Sequence, residues 1–212
     1  MCDALNNNAV SELRNKKQRD AKPFAVMFRD IQAVKHYCHI DENEEKELLS
    51  WRRPVVILRQ KKPLASAVSD GLNTIGAILP CMPLHYMLFR ELSTPAVVLT
   101  SGNISEEPVI ISDSEAARLL SPVADSILSY NRQILNRTDD SVVRFIDKKI
   151  SIIRRSRGFV PRPVDLKFNV EGIIALGAEQ KNIFCIGRGN QAVMSQHIGD
   201  LKNHATFNFL VE

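Results

Sequence analysis

Short apolar runs rich in β-branched residues alternate along this chain with amphipathic segments of helical period. PFAVMF from Pro23, PVVIL from Pro54, IGAIL from Ile75 and PAVVL from Pro95 have the length and composition of buried strands. Three of them open on a proline, which fixes the entry and needs no ladder partner there. Between them, helices are predicted over 8–17, 41–50, 84–92 and 113–120. Asp41 is placed to cap the second, with Glu44 and Glu45 at its positive end. In the third, LHYMLFREL, the spacing puts Leu84, Met87, Leu88 and Leu92 on one stripe facing the core. Later strands are predicted over 126–130, 141–146 and 150–154, the last two joined by a turn at Asp147-Lys148-Lys149. This alternation predicts an α/β fold, a mixed twisted sheet with flanking helices and hairpin-like antiparallel pairing near its end.

The proline-punctuated stretch Gly158-Phe159-Val160-Pro161-Arg162-Pro163 marks an exit from that sheet. Strands follow over 173–176, 183–186 and 191–195, turning at Ala178-Glu179 and at Arg188-Gly189-Asn190, before the chain enters a helix. We expect a domain over 1–163, a linker over 164–171, and the opening of a second domain over 172–212. About forty residues bury too little to stand as a core alone.

Composition narrows this picture only a little. With 44% hydrophobic and 25% charged residues in 212, the chain has what a globular core needs, and no apolar run approaches a membrane span. The four cysteines, Cys2, Cys38, Cys81 and Cys185, are scattered without a C-x-x-C pair. This argues against a zinc site or a disulfide framework and for free thiols in a reducing cytoplasm. The net charge of +4 suits an anionic small molecule as well as a nucleic acid.

Three clusters carry candidate chemistry. Lys17 and Arg19, ahead of Lys22-Pro23, project to one side if the backbone there is already extended, and two such cations suit a phosphate or carboxylate. They are equally readable as a solvated pair. Leu99-Thr100-Ser101-Gly102-Asn103-Ile104-Ser105 follows a buried strand, where ligands bind in open α/β sheets. There the Asn103 amide can match both edges of a planar carbamoyl group, or simply cap a turn. The third cluster runs from Asn136-Arg137-Thr138-Asp139-Asp140-Ser141 to Arg154-Arg155-Ser156-Arg157-Gly158. Its arginines suit a triphosphate, a basic strand end or a nucleic-acid patch. The absence of interleaved aromatics makes RNA the weaker reading. His197 has no second ligand at metal spacing, since His204 is seven residues on, so it reads as structural or phosphate-facing.

In order, KKQRDAKPFAVM from Lys16, RRPVVIL from Arg52, GLNTIGAILPCMPLHYMLF from Gly71, LTSGNISEEP from Leu99, NRQILNRTDDSVVR from Asn131 and RRSRGFVP from Arg154 resemble the YrdC-like domain of the HypF family, the hydrogenase-maturation carbamoyltransferases. LGAEQKNIFCIGRGNQAVMSQHIGDL from Leu176 is similar to the start of that family's next, sugar-kinase-like domain. The resemblance implies an enzyme that uses ATP, Mg²⁺ and carbamoyl phosphate or carbamate to form carbamoyl-adenylate. It further implies transfer of the carbamoyl group to a HypE-type acceptor protein, toward the cyanide ligand of [NiFe]-hydrogenase. By the same resemblance Lys17 and Arg19 match the family's K-x-R and Ser101 and Asn103 its S-x-N. Thr100, Ser141, Arg155 and Arg157 match positions beside the nucleotide phosphates. Asp20 stands where the family has proline. Met1 falls just after the place of a family strand and Gly-rich loop, from which we expect an open sheet edge and strand-mediated association. Two other readings stay open: a threonylcarbamoyl-adenylate synthase acting in tRNA modification, and a non-catalytic nucleotide- or RNA-binding module.

Overall fold

The computed structural model describes residues 1–19, 22–103, 107–129 and 131–211, apart from the side chains at 205 and 209. Asp20, Ile104, Ser105 and Tyr130, which enter the sequence reading, lie outside the described residues. The chain divides into two compact units, one of residues 1–100 with 141–153 and one of residues 101–140 with 154–212.

The first unit is built on a mixed sheet. Its elements are β1 (Cys2–Asp3), α1 (Asn7–Lys16), β2 (Ala25–Phe28), α2 (Ile31–Tyr37), β3 (Cys38–His39), α3 (Glu42–Leu49), β4 (Val55–Gln60), a 3-10 turn at Ser66–Val68, β5 (Thr74–Ile78), α4 (Pro83–Glu91) and β6 (Ala96–Leu99). After α5 (Asp113–Leu120) in the other unit, the chain returns as β7 (Val142–Ile146) and β8 (Lys149–Arg154). The strand order is β1-β6-β2-β5-β4-β7-β8, with β3 on β4. β2 runs parallel to β5 and antiparallel to β6, while β4 runs antiparallel to β5 and parallel to β7. The predicted sheet, mixed and flanked by helices, is therefore present. Its central strands are the four β-branched runs, and Met27, Val55, Ile78, Phe89 and Val97 pack as one buried cluster.

Helices α1, α2, α3 and α5 each start at a side-chain cap. Asp41 accepts from the N–H groups of Asn43 and Glu44, and the Glu44 carboxylate accepts from the Asp41 N–H, a reciprocal box that satisfies otherwise orphaned donors. α2 was not foreseen; it is capped by Asp30, whose carboxylate accepts from Ala33 N–H at 2.8 Å. The α4 stripe is corrected. His85 and Phe89, one turn apart, are the buried pair, and Leu84, Met87 and Leu92 are exposed. The segment is apolar on nearly every side, so period alone did not select a face. The strand expected over 126–130 is also absent: 126–129 are irregular, and their exposed side chains offer no face to bury.

In the second unit, β9 (Val164–Asp165), β10 (Ile174–Leu176), β11 (Phe184–Arg188) and β12 (Gln191–Met194) form an antiparallel sheet ordered β10-β11-β12-β9, followed by α6 (His204–Val211). β9 takes Val164 and Asp165 from the stretch expected as linker and pairs them with Ala192 and Gln191. At Gly187 a Cβ would meet the Val170 carbonyl oxygen at 1.9 Å, so this close backbone approach requires glycine.

Candidate active site

The end of α1 sets the first cluster. Gln18 N–H donates to Asn15 O and Arg19 N–H to Arg14 O, the paired bonds that close a helix through a left-handed residue. Gln18 is that residue, at φ +48°. The condition under which Lys17 and Arg19 would share a side, an extended backbone, is thus not met at this helix end, and the two side chains diverge in use. Lys17 is buried, and its ammonium donates to Thr100 Oγ1 at 3.3 Å. Thr100 directly precedes Ser101-Gly102-Asn103 in the chain. Burial, then the nearby positive charge of Arg19, lowers the Lys17 pKa to about 8. An ammonium that has lost water and faces a second cation is stabilised by any anion brought to it.

Arg19 donates from Nε to Lys22 O at 3.0 Å and from Nη2 to Pro23 O at 2.8 Å, and its guanidinium lies 5.0 Å from the centre of the Phe24 ring. Arg14, which the sequence reading passed over, lies 4.7 Å from the same ring. The signal for it was a cation in the last helical turn, three residues ahead of Lys17. Arg14, Asn15, Gln18 and Arg19 line an open groove of ≈ 530 Å³. Ser141 is also in this unit, fully buried at the start of β7, with its carbonyl accepting from Val55 N–H at 2.8 Å.

The remaining candidates belong to the second unit. Ser101 Oγ donates to Asn103 Oδ1 at 2.7 Å, and Asn103 Nδ2 donates to Glu107 O at 2.5 Å, so the bend holds its own polar groups in place. Arg155 donates from Nη2 to the carbonyls of Phe159 and Arg162, while its buried Nε has no hydrogen-bond partner among the described residues. Burial lowers its pKa. Arg157 instead makes a two-pronged bond to Asp140 Oδ1, at 3.0 Å from Nε and 2.6 Å from Nη2. His197 donates its N–H to Arg155 O at 3.1 Å, and its ring pKa is lowered, chiefly by burial. Among the described residues no group of three or more His, Cys, Asp or Glu side chains is placed to hold a metal ion. No described helix is long and apolar enough to cross a membrane.

Residues 1–156 match the Sua5/YciO/YrdC family, described as telomere recombination, and residues 169–212 match the HypF Kae1-like domain. The chain is 41% identical to the carbamoyltransferase HypF of Rhizobium leguminosarum bv. viciae over 99% of its own length. It is 36% identical to the probable carbamoyltransferase HypF of Methanocaldococcus jannaschii, also over 99%. It spans 28% and 27% of those proteins. Among solved structures, a full-length HypF in the phosphate- and nucleotide-bound form matches at TM-score 0.92 and 46% identity, covering 99% of this chain and 33% of that one. The HypF of T. kodakarensis matches at 0.94 and 43%, over 99% and 28%. Sua5 of P. abyssi, complexed with L-threonine, shares the fold at TM-score 0.63 and 18% identity, over 73% of this chain and 46% of that one. The chain therefore belongs to the Sua5/YciO/YrdC family, and over nearly its whole length it is similar to about a quarter of the HypF proteins, in which that domain is joined to a HypF Kae1-like segment.

Proposed function

We propose that residues 1–163 form carbamoyl-adenylate from ATP and carbamate, the latter derived from carbamoyl phosphate. A carbamate oxygen attacks the α-phosphorus, a new P–O bond forms, and the bond to the β-phosphate breaks to release pyrophosphate. No general base is needed, because carbamate is already an anion. The difficulty is electrostatic, since two anions must meet while charge builds on the phosphoryl oxygens. The observation that carries this reading is Lys17, a buried cation with its pKa lowered to about 8, hydrogen-bonded to Thr100 at the end of β6. A cation held in place and out of water acts on such charge without reorganising.

In this reading Lys17 and Arg19 neutralise charge, Ser101 and Asn103 orient the carbamoyl group, and Thr100, Ser141, Arg155 and Arg157 adjoin the nucleotide. Mg²⁺ would come with ATP and neutralise charge on its phosphates. The carbamoyltransferase relatives suggest the wider role. We place the chain in a cytoplasmic carbamoyltransferase that serves a HypE-type acceptor on the way to the cyanide ligand of [NiFe]-hydrogenase, with residues 172–212 opening the domain that receives the adenylate.

The test is pyrophosphate exchange into ATP by the purified chain. Exchange that requires carbamoyl phosphate or bicarbonate is expected. Exchange that appears only when threonine is added would replace this reading with threonylcarbamoyl-adenylate synthesis, and no exchange with either would overturn it for this chain.

A further inference from the structure

Arg14 grips residue 19 at both its N–H and its carbonyl. Its own carbonyl accepts from Arg19 N–H at 3.1 Å, and its Nη1 donates to Arg19 O at 2.7 Å. Lys17 and Gln18 are thereby enclosed in a bracket that starts and finishes on one residue. The same Nη1 reaches Lys22 O at 3.3 Å, where Arg19 Nε also donates, so Lys22 is tied to the same two side chains. The other edge of the Arg14 guanidinium is anchored. Nε and Nη2 both donate to Ala67 O, at 2.9 and 2.6 Å, in the 3-10 turn at Ser66–Val68. That turn is fixed in its own right: Ser66 N–H donates to Asn7 Oδ1 at 2.9 Å, and Val68 O accepts from Phe24 N–H at 2.8 Å. Phe24 is buried and presents its ring to both guanidiniums. α1 is therefore pinned to one short turn at both its first and its last residues, and the pin at the far end is Arg14.

We propose that Arg14 is a positioning residue for the adenylation site: a planar clamp between the Ser66–Val68 turn and the carbonyls of Arg19 and Lys22 that holds Lys17 against Thr100. This rests on the reading above. The clamp needs a fork, because donors must leave it in three directions within one plane. A lysine offers charge without that geometry. Displacing a charge-stabilising group by about 1 Å is enough to lower a rate by about 10²-fold.

The test uses Arg14→Lys and Arg14→Met in the full chain, with two readouts. The first is amide hydrogen exchange of a peptide covering residues 15–19, which involves no turnover. Both variants are expected to lose protection there by at least about tenfold while a peptide from β5 keeps it. The second is pyrophosphate exchange. Here kcat is expected to fall about 10²-fold in Arg14→Lys with KM for ATP changed far less, and the pH at which ATP affinity declines is expected to move up from about 8 as Lys17 regains water. An Arg14→Lys protein with wild-type protection and wild-type kcat would overturn the proposal, since charge alone would then suffice. Should the wild-type chain show no exchange activity, the adenylation reading falls but the protection experiment still decides whether Arg14 clamps the loop. If Arg14→Met fails to fold, Arg14→Lys, which keeps the charge and the aliphatic stem, carries both readouts.

Discussion

Two groups of cations looked alike in the sequence and differ in the fold. The partners described for Lys17 and Arg19 include a threonine hydroxyl, the carbonyls of Lys22 and Pro23, and the Phe24 ring. Arg154 and Arg157 face carboxylates, with Arg157 at 2.6 Å from Asp140 and Arg154 at 3.8 Å from Asp139. A neutral acceptor orients a cation and leaves its charge to act on something else. A carboxylate satisfies both needs at once. What separates the two is the ion pair of Arg157, which makes that residue in larger part architecture, and the burial of Lys17, which raises what an incoming anion would gain there. Arg155, held by carbonyls with a buried Nε unmatched among the described residues, resembles the early cluster more than its own neighbours.

Substitutions can break or sharpen this contrast. The largest effect is expected from Lys17→Met, about 10²–10³-fold in exchange rate, against well under tenfold for Arg157→Lys. Equal losses in the two would erase the distinction. Arg19→Ala is expected next, with about 30-fold or more lost in kcat/KM, equivalent to ~2 kcal/mol.

Proton linkage gives a third test. Lys17 has a folded pKa of about 8 against an ordinary 10.5, so between those values the unfolded chain binds more protons and stability rises with pH. ATP affinity should run the other way, weakening by up to about tenfold per unit above pH 8 as the ammonium loses its proton. Urea midpoints and ATP titrations from pH 7 to 10 should both show these trends in wild type and neither in Lys17→Met. Smaller still, Thr100→Val should weaken ATP binding about fivefold, one hydrogen bond's net worth of ~1 kcal/mol, by calorimetry. Asp140→Ala should lower unfolding free energy by about 1 kcal/mol while leaving ATP affinity within a few-fold. A larger loss of affinity than of stability would move Arg157 into the functional group.

Much of the frame was legible because it rests on local chemistry. The strands at Ala25, Val55, Thr74 and Ala96 are β-branched runs entered from prolines or polar turns. α3 starts at its Asp41 cap, and α5 spans 113–120 as read. What was not legible depended on partners distant in sequence. α4 offers apolar residues on several sides, and only the sheet beneath it selects His85 and Phe89. The two-residue strands β1 and β3 exist because β6 and β4 offer them an edge. In the site, the residue types of K-x-R and S-x-N and a helix ending at Lys17 were visible, but not the left-handed Gln18 between Lys17 and Arg19. Nor was Arg14, whose use is decided by Ala67, more than fifty positions away.

The strand order has a consequence for how the protein is made. β4 is flanked by β5, its neighbour in synthesis, and by β7, in parallel register at Val55–Val142 and Val56–Val143. A nascent chain that has emerged only through β6 has β3 on the Arg59–Gln60 end of that flank but leaves its Val55–Val56 end waiting for a segment still inside the ribosome. Domains generally fold as units during synthesis, and pairings this remote close slowly, leaving unsatisfied edges open to misassembly in the interval. Expression at lower temperature, or with chaperones that shield strand edges, should therefore raise the yield of correctly assembled protein.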